Sequence, residues 1–440
     1  MRHQYFVWML MLLCSVCLFS SCEHKRGGEP DGPEVVEEPD SNHTLLIYMI
    51  GDNNLSEYCL ENTSNSIRGL LDSPHPLNLV IYEDSYVSGV GGKPVLFRLK
   101  RNAVDKQRVD TTYLQQYPED WDSTDPEVMK TVVNEVFKKY DTEVKGIELW
   151  SHAMGWIPSS SFRPSQSRTT GFEQDDVEPE TRSSQHVGLD VNKEMDIWVL
   201  RETLEKCPHL DYILYDACNM GQAEVAYELR DVADYMLACP TEIMAGGLPY
   251  HLMIRSLSTC QGKSSLLNAL KMVVDDFASL YDGTTKFDDF MVQSSHRRNY
   301  KHDGTFALTD LHQIKGVHDA FVSLRANYAE RVQLLQDHYY TYEGNITHYG
   351  RTGMGSRYYF YDLLDAARFF VGDDKESNSL ALLEQALDKA VIKEHHTESF
   401  IEISNIRSCG LGVGLPEMFQ ASTNTNTLHA AYAKLRWSQE

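Results

Sequence analysis

The 440-residue chain carries 40 Lys and Arg against 64 Asp and Glu, a formal net charge of −24. That excess of acid repels a phosphate backbone and argues against nucleic acid as a partner. After the N-terminal segments described next, about 400 residues remain, enough for one large α/β domain with an appended region.

In chain order, Met1-Arg2-His3 and an apolar run from Phe6 to Phe19 lead to Ser20-Ser21-Cys22. The run is too short and too early for a membrane-spanning helix and reads as a signal peptide over 1–21. Cysteine after small residues resembles a bacterial lipobox, with Cys22 as the lipidated first residue of the exported protein. Residues 22–43 are rich in Glu, Pro, Gly and Asp and cannot bury a core, so they read as a disordered tether. The expected place is the cell envelope, facing the periplasm or the cell surface, with membrane contact through the lipid anchor only. Of nine cysteines, Cys14 and Cys17 leave with the signal peptide and Cys22 takes lipid; the six that remain form no C-x-x-C pair and show no metal-ligand spacing.

The first strand is expected over Leu45–Ile50, with Asp52 capping the helix that follows. A second is expected over Leu77–Tyr82, and a helix from Pro126 to Tyr140. Gly146–Trp150 is the next short apolar run, and His152 stands just beyond it. Residues 157–190 are polar and contain Arg163, Arg168 and Arg182 with five acids between Glu173 and Glu180. So long a polar segment inside a domain reads as a functional lid or a surface insertion. A helix over Met195–Leu204 precedes a buried strand, Tyr212–Tyr215, which ends at Asp216. From Gly221 the apolar spacing becomes helical, so Cys218 sits on a strand-to-helix turn, where helix N–H groups favour a thiolate. Asp234–Cys239 reads as another buried strand, running into a turn from Pro240 to Tyr250. Helix is expected over 257–280, a strand over Thr305–Thr309 with Asp310 as a cap, then helices near 312–340 and 376–393.

Active sites of open parallel α/β sheets form at the carboxyl ends of strands. Two strands ending in His152 and Cys218 could pair an imidazole with a thiol, an acyl-transfer arrangement. Taken singly, each residue has a structural alternative: a buried cysteine filling a core, a histidine that only packs.

Three blocks occur together: Leu46–Leu55; Leu149-Trp150-Ser151-His152 with Gly155-Trp156; and Asp216-Ala217-Cys218-Asn219-Met220 running into Glu224–Leu229. With Phe360-Tyr361-Asp362-Leu363 and Cys409-Gly410-Leu411, the chain from 44 to 440 resembles the clostripain family of cysteine peptidases. The resemblance implies a caspase-like α/β fold: a mostly parallel sheet flanked by helices over 44–300, then an appended C-terminal α/β region over 301–440. It implies an endopeptidase acting on proteins or peptides through a His152–Cys218 dyad. The oxyanion donors would be the N–H groups of Cys218 and Ala153, where many relatives have Gly after the His. Family enzymes cut after Arg or Lys. Relatives often carry an acid in the turn here occupied by Met244-Ala245-Gly246-Gly247, so Asp216 or Glu242 would have to face the basic side chain. The competing expectation is a glycine-lined pocket, at Gly246 and Gly247, that admits an uncharged residue. Some relatives are activated by a cut after the His strand, which makes Arg168, then Arg163 and Arg182, the candidate processing points. No metal site or required cofactor is expected, and calcium dependence is not readable from the residues. A catalytically dead surface lipoprotein that binds rather than cuts stays open as an alternative.

Overall fold

The computed structural model describes residues 41–53, 55–85, 93–118, 121–158, 187–190, 193–244, 246–281, 304–337, 346–349, 360–374, 376–400, 403–404, 407–419 and 425–440. The strands, in chain order, are β1 (His43–Gly51), β2 (Asn78–Ser85), β3 (Val95–Arg101), β4 (Val109–Gln116), β5 (Val144–Trp150), β6 (Val187–Asp190), β7 (Lys193–Met195), β8 (Leu210–Asp216), β9 (Ala233–Ala238), β10 (Thr305–Asp310), β11 (His348–Tyr349), β12 (Phe360–Asp362), β13 (Val391–His396), β14 (Ser399–Phe400), β15 (Ile403–Ser404) and β16 (Gly412–Gly414). Among the described residues nine of them form one sheet in the order β13-β10-β9-β8-β5-β1-β2-β3-β4. The five central strands, β9 to β2, run parallel. The two at each flank are antiparallel. All nine residues of β1 are buried. A strand covered on both faces has no place for alternation, which is why this one reads as a continuous apolar run. The chain goes from β1 outward to β2, then returns to the other side of β1 for β5. That reversal opens a crevice at the carboxyl ends of β1 and β5.

Helices α1 (Ser56–Leu71), α5 (Tyr250–Leu257) and α6 (Lys263–Tyr281) pack on one another, as do α2 (Pro126–Lys139), α3 (Ile197–Leu204), α4 (Ala223–Leu229) and α7 (Ile314–Asn327). Alternation along β5 sends Glu148 and Trp150 toward the α1/α5 layer and Leu149 toward α2. Beyond α7 come α8 (Ala329–Asp337), α9 (Leu363–Val371) and α10 (Asn378–Ala390), and a small sheet β11-β12-β16. The central sheet takes β10 and β13 from this later part of the chain.

Several local expectations change. Asp52 is not the cap of α1: the helix starts at Ser56, and Asn53 organises the turn, its side chain accepting from Leu55 N–H and donating to Ile50 O. His43, expected in the tether, is the buried first residue of β1, bonded through Nε2 to Tyr212 Oη at 2.8 Å. The expected helix 257–280 is α6, which starts later, at Lys263; Leu257 is the last residue of α5. The tail of the polar segment forms the β6–β7 hairpin. Asp310 does cap, accepting from His312 N–H. Among the described residues no helix is long and apolar enough to cross a membrane, and the six cysteines there are free thiols.

Gly146 is needed for the β5–β8 pairing. It lies opposite Tyr212, and a Cβ on it would stand 2.0 Å from the tyrosine ring. Gly146→Ala should therefore destabilise by about 1–3 kcal/mol, the usual cost of overpacking. Chemical denaturation checks this; an unchanged midpoint would mean that the ring moves aside freely.

Candidate active site

The site is built by strand register. β5 and β8 are parallel neighbours with Trp150 opposite Asp216, so His152 and Cys218 each stand two residues beyond matched strand ends. Both are buried, at 1% and 0% exposure. Adjacent strands lie about 4.8 Å apart, which sets the scale of the separation.

Beyond Cys218 the chain reverses sharply. Asn219 has φ 58°, the only left-handed non-glycine among the described residues, a conformation that Asn tolerates better than most. Its N–H donates to Thr241 O, and Gly221 N–H to Cys239 O. The Gln222 amide closes the turn by donating to Asn219 O and Pro240 O. This turn delays α4 until Ala223, so the group that reaches the sulfur is not a helix N–H. Ile243 N–H donates to Cys218 Sγ at 3.2 Å. The left-handed position thus follows the cysteine; Ala153, after the histidine, has no positive φ.

The predicted pocket residues converge on the same end of the sheet. Asp216 is fully buried and accepts from Tyr250 Oη at 2.7 Å; the same hydroxyl contacts Glu148 Oε1. Glu242 is also fully buried. Gly246 O accepts from Asn62 Nδ2 at 3.1 Å, and Asn62 Oδ1 accepts from Trp150 Nε1 at 2.9 Å. Asn62 thereby ties the turn to the end of the histidine strand. Gly247, at φ 75°, accepts from Tyr281 Oη. On the α2 face, Tyr48, Leu149, Ala153 and Tyr215 line an apolar recess that reaches His152. Arg163, Arg168, Arg182 and Cys22 lie outside the described residues.

Four residues of this neighbourhood were not anticipated: Asn62, Glu148, Ile243 and Tyr250. Only Glu148 carried a signal, as a lone acid inside an apolar strand, where unpaired charge is rare.

The C-terminal part of the chain clasps both turns. Gly412 N–H donates to Gly221 O, and Gln222 bridges Gly412 in a parallel pair. Gly414 N–H donates to Glu224 Oε1 at 2.7 Å. Burial raises the Glu224 carboxyl to about 8 in spite of that donor. From the histidine side, Trp156 packs edge-on against Phe360 and Tyr432. Among the described residues no group of three or more His, Cys, Asp or Glu side chains is arranged to hold a metal ion.

This architecture has known counterparts. It is similar to an inactive zymogen C11 protease from Parabacteroides distasonis, with 22% identity over 92% of this chain and 99% of the other and a TM-score of 0.66. It is also similar to a secreted C11 cysteine protease from Bacteroides thetaiotaomicron in complex with an irreversible peptide inhibitor, with 22% identity over 91% and 98% of the two chains and a TM-score of 0.65. No curated protein matches the sequence. The model of the clostripain family, Peptidase_C11, matches residues 47–440. The chain therefore belongs to the clostripain family, and it is a cysteine endopeptidase.

Proposed function

We propose that catalysis runs through Cys218 and His152. Cys218 Sγ attacks the scissile carbonyl, and His152 takes the thiol proton and passes it to the leaving amine. A thioester acyl-enzyme forms, which water activated by His152 then hydrolyses. The N–H groups of Cys218 and Ala153 serve the oxyanion. The observation that carries this reading is the β5–β8 register, which sets the two side chains at equivalent positions past neighbouring strand ends. The thiol proton is directed at Ile243 O at 3.6 Å, and the Ile243 N–H on the sulfur favours the thiolate once His152 has taken that proton.

Substrates are proteins or peptides cut after Arg or Lys. The turn Met244–Gly247 has no acid, and Asp216 is the carboxylate that meets the basic side chain, with Glu242 as the second candidate. The complete burial of Cys218 fits an enzyme that must open before it cuts. A cut at Arg168, Arg163 or Arg182, in the segment after the histidine, is the proposed opening step. One structural counterpart is described as an inactive zymogen. Export follows from the N-terminal signal, with lipid on Cys22 and the enzyme in the cell envelope; another counterpart is described as secreted.

Paired fluorogenic peptides ending in Arg, Lys, Ala, Leu and Asp test the specificity. Arg and Lys should exceed Ala by about tenfold or more, the value of one desolvated charge pair. Arg and Lys no better than Ala would reject basic specificity and favour the glycine-lined, uncharged pocket. Once the chain is cut, a thiol-reactive peptidyl probe should label Cys218 alone; no labelling of the cut chain would favour a binding module.

A further inference from the structure

Tyr250 opens α5, at the far end of the turn whose near end touches Cys218. Its hydroxyl contacts two carboxyl groups, Asp216 Oδ2 and Glu148 Oε1. All three side chains are buried, at 1%, 0% and 0% exposure. Glu148 comes from β5, four residues before His152, and Asp216 from β8, two before Cys218. With Glu148 opposite Leu214 and Trp150 opposite Asp216, the two acids share one sheet face, one step apart.

A tyrosine has one hydroxyl proton, and a carboxylate is only an acceptor. The hydroxyl can therefore donate to one of the two carboxyls. The second contact is a hydrogen bond only when that carboxyl supplies a proton of its own. Two ionised carboxylates at one buried hydroxyl would also repel each other and each lose hydration. Tyr212, bonded to His43, also interacts with Glu148 from β8.

We propose that these groups form a directed relay: Glu148 carries the proton and donates to Tyr250 Oη, and Tyr250 donates to an ionised Asp216. Glu148 is the deeper of the two along its strand and the weaker acid by type, so the proton belongs there. A donor aimed at Asp216 favours its charged form. The relay keeps a buried carboxylate ionised at the pocket without an acid in the glycine turn. It rests on the reading of Asp216 as the partner of the basic substrate side chain. Tyr250 and Glu148 are positioning residues; they act through Asp216.

Cleavage of Arg-ending and Ala-ending peptides by the wild type and by Tyr250→Phe, Glu148→Gln and Asp216→Asn tests the relay. Tyr250→Phe should lower kcat/KM for the Arg peptide about tenfold, the scale of one charge-assisted bond, mainly through KM, and leave the Ala peptide nearly unchanged. Glu148→Gln, whose amide N–H still donates to Tyr250 Oη, should keep the Arg-to-Ala ratio within about twofold. Asp216→Asn should abolish the preference. If it does but Tyr250→Phe leaves the ratio unchanged, or slows both peptides equally, the relay is overturned and the Asp216 reading stands. If Asp216→Asn has no effect, or the wild type shows no Arg preference, both fall. Infrared difference spectra give a readout independent of turnover and of the Phe variant's folding. One carbonyl band of a protonated carboxyl, besides that of Glu224, should be present in the wild type and absent from Glu148→Gln; loss of that band in Asp216→Asn and not in Glu148→Gln would reverse the proposed direction and overturn the relay.

Discussion

Replacing Cys218 by Ser is expected to lower kcat/KM for peptide amides by about 10³-fold or more, and replacing it by Ala by on the order of 10⁴–10⁶-fold. The two variants separate chemistry from packing. Cys218 is fully buried, and its sulfur accepts from Ile243 N–H. Alanine leaves that buried donor without its acceptor, at a cost of about 1–3 kcal/mol in stability. Serine keeps an acceptor at the same position, so its melting temperature should stay close to that of the wild type while activity is lost. A hydroxyl is far less acidic than a thiol, and His152 can activate it only poorly. His152→Ala should fall to a comparable level with Cys218 still present. Substantial turnover by Cys218→Ser or Cys218→Ala would remove Cys218 as the nucleophile.

The parts of this fold that periodicity exposes are the five central strands. Gly146–Trp150 and Tyr212–Tyr215 are buried on both faces, so apolar runs mark them, and His152 and Cys218 follow their ends directly. Of the flanking strands only β10, expected over Thr305–Thr309, was legible; β3, β4 and β13 were not. Tyr113 on β4 is 73% exposed, and with water on one side of an edge strand Val109–Gln116 has no apolar run to betray it. The helix expected over 257–280 begins six residues too early because Leu257 and Cys260, buried and apolar, extend the apolar spacing ahead of α6. The polar network at the site was the least legible part. Asn62, Glu148 and Tyr250 stand on three elements separated by up to 188 positions, and only the sheet order brings them together. Glu242 shows the same limit from the other side. A Glu after a strand is solvated unless later segments cover it, and here it has no exposed surface.

The Glu224→Gln variant should flatten the pH dependence of stability. Glu224 is the second residue of α4, six positions after Cys218, and it holds Gly414 N–H in a fully buried setting. Burial raises its carboxyl from 4.5 to about 8. Below pH 4.5 the folded and unfolded chains both hold the proton. Between 4.5 and about 8 the unfolded chain has released it while the folded chain keeps it. The native state then binds more protons than the unfolded state, so stability falls as pH rises. Each unit of that interval is worth about 1.4 kcal/mol, which makes at most about 5 kcal/mol by pH 8. Glu194, raised to about 8, and Asp276, raised to about 6, both by burial, add slopes of the same sign in both proteins and cancel in the comparison. Glutamine keeps an oxygen for Gly414 N–H but has no proton to lose. The variant should match the wild type near pH 4.5 and exceed it by several kcal/mol at pH 8.5, in urea titrations at both values. Parallel profiles would show that Glu224 ionises without cost, through water reaching it under β16. That strand also holds Gly221 through Gly412, so a native state that opens there to hydrate Glu224 would loosen the turn behind Cys218. Hydrogen exchange at Gly412 and Gly414 should then quicken as pH rises beyond the intrinsic rate, and Glu224→Gln should suppress the excess.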